Sequence, residues 1–144
     1  MAELARAVAS LRITGDDLVP DDITAHLGCD PTRSYARGDT LNWKDTPPRV
    51  ARFGFWSLEA DETTPADLDV QVAGLLSRLT ADEATWERLR AEYDLDLFCG
   101  WFMRRLNEGA SIEPETLAAL GTRGIRLDID LSGAYEDELE TSAP

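Results

Sequence analysis

The segment Ile125 to Ser132, IRLDIDLS, alternates without a break: Ile125, Leu127, Ile129 and Leu131 fall on one side, and Arg126, Asp128, Asp130 and Ser132 on the other. A strand with side-chain period two can do this only if one face of its sheet is buried and the other meets water. Sheets covered on both faces read instead as continuous apolar runs. This pattern therefore predicts an open, mostly antiparallel sheet with cover on one side. Three other segments fit the same sheet. They are Ala7 to Thr14, the aromatic-rich Phe53 to Glu59 (FGFWSLE), and Asp94 to Phe102 (DLDLFCGWF), where Leu95, Leu97, Cys99 and Trp101 share a face. A short fifth strand is predicted over Ser34 to Arg37, before Gly38 and Asp39 turn the chain.

Helical signals lie between the strands. Pro20 suits a first helical turn, Asp21 and Asp22 complement its dipole, and Gly28 is placed to end it in the left-handed conformation. Thr64 and Pro65 predict a second helix, with Leu68, Val72, Leu75, Leu76 and Leu79 as its apolar stripe. Thr80 with Glu83 has the form of a capping box opening a third, through Trp86, Leu89 and Tyr93. Glu113 to Glu115 open a fourth, which Gly121 is expected to end. The order of elements predicts an α+β fold: a mostly antiparallel sheet of about five strands with helices on one face, partly ferredoxin-like. Residues 1–132 form the expected single domain, and 133–144 an acidic tail expected to be disordered.

A chain of 144 residues with 43% hydrophobic and 29% charged residues has the makings of one independent core. The two cysteines, Cys29 and Cys99, are too few for a disulfide scaffold, and no apolar run approaches membrane-spanning length. A reduced, cytoplasmic protein is expected. The net charge of −14 is concentrated after Leu58, where 20 acidic residues face 7 basic ones. A field of that sign repels nucleic acid and anionic membranes and draws in cationic partners.

No Gly-rich phosphate loop and no nucleophile elbow occurs, and the single histidine, His26, cannot build a histidine metal site. No catalytic residue, metal or cofactor is therefore assigned. Asp16, Asp17, Cys29 and Arg33 are candidates for a small-ligand or enzymatic site at the mouth of the sheet. Against this, adjacent acids at a helix start serve as caps, and a thiol just past a helix C-terminus meets the unfavourable end of the dipole. The carboxylate pairs Asp94/Asp96 and Asp128/Asp130 could serve acid-base chemistry or simply solvate a strand face. The stretch 33–52 gathers Arg33, Arg37, Lys44, Arg49 and Arg52 around Tyr35 and Trp43. Arg33, Arg37 and Trp43 are its candidate binding residues, although this basic loop is expected to pair with the protein's own acidic half. Trp56 is expected in the core and Trp43 at the surface.

LRITGDDLVPDDITAHLGCDPTRSYARGD (Leu11 to Asp39), WSLE, LFCGWF and GIRLDIDL together resemble the bacterial family catalogued as domain of unknown function 4279, from about Arg6 to Leu131. The resemblance implies a small stand-alone domain and carries no catalytic residue to any position. The loop around Trp43 and the acidic tail depart from its pattern. The expected function is non-enzymatic protein binding, as an inhibitor or immunity-like factor for a cationic protein.

Overall fold

The computed structural model describes residues 6–133. Its central strand, β1 (Arg6–Gly15), buries Ala7, Ala9, Leu11 and Ile13, while Val8, Ser10 and Arg12 stay partly open on the other side. It pairs antiparallel with β5 (Gly54–Glu59), where Leu11 meets Leu58 and Ile13 meets Trp56. On its other side it pairs antiparallel with β6 (Asp94–Phe102), where Ala9 meets Cys99 and Leu11 meets Leu97. β2 (Arg33–Tyr35) extends the sheet beyond β5, and β7 (Arg126–Ser132) extends it beyond β6, giving the order β2-β5-β1-β6-β7. The α+β architecture with a mostly antiparallel five-stranded sheet is the one that the alternation predicts.

Four helices supply the cover: α1 (Pro20–Leu27), α2 (Leu68–Ser77), α3 (Glu83–Glu92) and α4 (Pro114–Arg123). Ile23, Leu27, Val72, Leu75, Trp86, Leu89 and Leu120 join Leu11, Ile13, Trp56, Leu58 and Leu97 in one apolar cluster. Three polar groups drawn into it are paired through their N–H donors, although Gln71 Oε1 is buried with no hydrogen-bond partner among the described residues. The Trp56 Nε1 donates to Thr24 Oγ1 at 3.1 Å, the Trp86 Nε1 to the Thr80 carbonyl at 2.8 Å, and the Gln71 amide to the Ala7 carbonyl at 2.9 Å. Cys99 is fully buried.

Several local expectations are corrected. The final strand is not antiparallel to its neighbour: β7 runs parallel to β6, because α4 carries the chain back to the end from which β6 started. α2 starts at Leu68 and not at Pro65, since Asp67 is the residue whose side chain accepts the Val70 N–H, at 3.1 Å. Asp82, in the same way, caps α3 through the Thr85 N–H. α4 passes through Gly121, which costs only about 1 kcal/mol inside a helix. It ends at Gly124, which takes the left-handed conformation at φ 73° as Gly28 does after α1 at φ 78°. The long loop between Thr40 and Arg52 contains a short antiparallel ribbon, β3 (Thr40–Leu41) and β4 (Arg49–Val50). The acidic tail lies outside the described residues, Gly133 excepted.

Candidate binding surface on the open sheet face

With the helices of the described residues all on one side, the even-numbered positions of β1 form the floor of a face that no described helix covers. Registration brings partners to them: Arg12 lies opposite Ser57 on one side and Asp96 on the other, and Ser10 lies opposite Phe98. Arg12 makes a two-pronged ion pair with Asp96, with Nε at 2.9 Å from Oδ1 and Nη2 on Oδ2. Its guanidinium also stacks 4.3 Å from the centre of the Phe98 ring. Arg6 repeats the arrangement at the rim, 5.4 Å over Phe102 and bonded to Glu62. The result is a shallow groove of about 480 Å³ that includes Ser10, Arg12, Arg33, Phe55, Phe98 and Asp130.

β7 adds a second carboxylate beside Asp96. Burial pushes the Asp96 carboxyl above its ordinary range, and its hydrogen bond with Asp128 pushes the same way, against the lowering effect of Arg12. Asp128 is held below the ordinary range, first by that bond with Asp96 and then by Arg126, whose Nε lies 3.2 Å away. The hydroxyls of Ser10 and Ser57 share the face with these groups, but the chain's one histidine, His26, belongs to α1 and lies beside Asp22 and Arg88.

The candidate residues read from the sequence divide among four places. Arg33 and Trp43 do come together: the Arg33 guanidinium lies 5.7 Å from the Trp43 ring and 5.6 Å from the Phe55 ring, and Arg49 stacks on Trp43 at 4.4 Å. Arg37 and Asp17 form an exposed ion pair at 2.7 Å. Asp16 lines a cleft with Arg90, Tyr93 and Asp94 that contains neither Cys29 nor Arg33. Cys29, half-buried after the α1 cap, donates its thiol to the Asp30 carbonyl at 3.4 Å and packs against the core.

The basic loop does not pair with the acidic half among the described residues. Of Arg33, Arg37, Lys44, Arg49 and Arg52, only Arg37 has an ion-pair partner there, and that partner, Asp17, precedes Leu58. The reason is strand order, since β2 and the ribbon lie at one edge of the molecule and the acidic strands β6 and β7 at the other. Reading the sequence also missed Arg12, Phe55 and Phe98 as parts of one surface. The only signal was their place on the polar side of an alternating strand.

At the far edge, β7 presents seven residues and has β6 as its one sheet neighbour among the described residues. Asp128 and Asp130 belong to the free face, while Ile129 and Leu131 are 43% and 60% exposed on the helix side. No helix among the described residues is long and apolar enough to cross a membrane. No curated protein and no solved structure matches the chain. The model of one family, described as "Domain of unknown function (DUF4279)", matches residues 4–134, so the chain belongs to that family.

Proposed function

We propose that this is a non-enzymatic cytoplasmic protein that binds another protein, in the manner of an inhibitor or immunity-like factor, by taking a cationic extended segment along β7. The observation that carries the proposal is the state of that edge. Sheet edges in monomers are ordinarily blunted by shortness, proline, charged side chains or a covering element. β2, at three residues, is blunted by shortness, whereas β7 is seven residues long without proline, and its Asp128 and Asp130 would repel an acidic strand while attracting a cationic one. A partner strand would gain main-chain hydrogen bonds there, Ile129 and Leu131 would take its apolar side chains, and Asp128 and Asp130 its cations. The 20 acidic residues after Leu58 would speed the encounter.

The test is titration of isotope-labelled full-length protein with an acetylated octapeptide of alternating lysine and valine. The expected result is amide shifts and slowed hydrogen exchange over residues 127–131, with affinity at least tenfold weaker at 0.5 M salt and in Leu131→Lys. Shifts scattered elsewhere, or equal binding of a glutamate–valine peptide, would overturn the proposal.

A further inference from the structure

We infer that the cavity under the β3–β4 ribbon is a binding site for a small anion carrying a planar ring, of the nucleoside monophosphate class. The cavity has a volume of about 750 Å³ and is lined by Tyr35, Leu41, Arg49, Val50, Arg52 and Phe53, with Ala51 between them. That volume falls within the range of ordinary small-molecule sites. Among the described residues its lining contains two arginines and no carboxylate. In a chain with 28 acidic and 14 basic residues this is an unusual concentration. Among the described residues, Arg49, Arg52 and the neighbouring Arg33 and Lys44 have no acidic partner within ion-pair distance.

One of the two lining arginines is also held in place: Arg49 stacks on Trp43 at 4.4 Å, and Arg33, outside the lining, lies 5.7 Å from the same ring. Stacking restrains the plane of a guanidinium while leaving its N–H edge free, which suits two-pronged donation to phosphate oxygens. The rings beside them favour a flat ligand group. Tyr35 is stacked on Phe55 with centres 5.1 Å apart and planes 20° from parallel, and Phe53 stands 6.4 Å from Tyr35. Phe53 and Val50 remain 41% and 62% exposed, so apolar surface at the mouth is left for a ligand to cover. A long polyanion would carry its charge across to the acidic strands, against the net charge of −14. A single phosphate held at the ribbon edge would be screened from them within about 8 to 10 Å.

The experiment is calorimetric titration of the full chain at 50 mM salt with adenosine 5′-monophosphate, and in parallel with adenosine and inorganic phosphate. The nucleotide is expected to bind with Kd below 1 mM, and each fragment at least tenfold more weakly. Arg49→Ala with Arg52→Ala is expected to weaken nucleotide binding at least tenfold, and Arg88→Ala, exposed on α3, less than twofold. In the wild-type protein, nucleotide-induced amide shifts are expected at Tyr35, Leu41, Val50 and Phe53, which tests the location without any variant. No heat and no shift at millimolar nucleotide, equal affinity for inorganic phosphate alone, or shifts confined to β6 and β7 would each overturn the inference.

Discussion

Replacing Trp56 with alanine should remove much of the protein's stability. The side chain is fully buried, sits opposite Ile13 in the central pairing, and its Nε1 is bonded to Thr24 Oγ1 on α1. It therefore ties the sheet to the first helix through both packing and a hydrogen bond. Truncating a buried tryptophan leaves a cavity and costs about 3 to 5 kcal/mol, against total stabilities of about 5 to 15 kcal/mol for domains. With a urea m-value of about 2 kcal/mol/M, the unfolding midpoint should fall by about 2 M, read by far-ultraviolet circular dichroism. The matched control is Trp43→Ala. That ring is 40% exposed and stacked on by Arg49, so the midpoint should move by no more than the equivalent of about 0.5 kcal/mol. A Trp56→Ala midpoint within about 0.5 M of wild type, or a larger loss from Trp43→Ala, would refute the reasoning.

Arg12→Ala leaves the buried Asp96 carboxylate unpaired and should cost about 1 to 3 kcal/mol at pH 7. Because burial raises the Asp96 carboxyl in the fold, folding favours its protonated form; the deficit against wild type should shrink as pH falls from 7 through that raised value, as parallel urea titrations would show. With a thiol reagent at pH 8, the native protein should release one equivalent, from Cys29, and the second only in denaturant, since burial pushes Cys99 up to about 12. Gly54→Ala would place its Cβ 2.5 Å from the Leu18 carbonyl oxygen and 2.8 Å from Leu18 Cβ, where main chain cannot yield; the melting temperature should drop by several degrees, for a cost of about 1 to 3 kcal/mol.

Period-two alternation assigns each residue of a strand to a face, which is why the burial of Leu95, Leu97 and Cys99, and of Trp56 and Leu58, was legible from the order of residues. Alternation says nothing about which strands are neighbours. Arg12 has no mark in AVASLRIT; it belongs to a site only because registration sets Asp96 opposite it and Phe98 beside it. The direction of β7 was illegible for the same reason, since a half-covered strand shows the same pattern beside a parallel or an antiparallel neighbour. Helix starts were misplaced where two capping residues competed: Thr64 and Thr80 are plausible caps by type, but Asp67 and Asp82 are the residues whose carboxylates reach a free N–H. At the basic loop, the residue types were readable and their pairing was not, because an ion pair depends on distance across the sheet.

That distance also bears on whether one small domain can carry two surfaces of opposite sign. β2 and β7 are separated by four inter-strand steps, since β5, β1 and β6 intervene. At about 4.8 Å per step this places the two edges about 19 Å apart, roughly twice the screening length of about 8 Å at physiological ionic strength. Arg33 and Arg49, which have no ion-pair partner among the described residues, and the carboxylates of β7 are therefore too far apart to neutralise one another through solvent. Had β2 added to the sheet beside β7, Arg33 and Asp130 would face each other across one step, and both surfaces would be lost to an internal salt bridge. The pair that does lie between them, Arg12 with Asp96, is already closed on itself and contributes little field to either side. Occupation of one edge should accordingly leave the affinity of the other within about twofold at 0.15 M salt. A cationic peptide on β7 that changed nucleotide affinity at the ribbon by tenfold would require a coupling carried through the packed sheet and not through the electrostatic field.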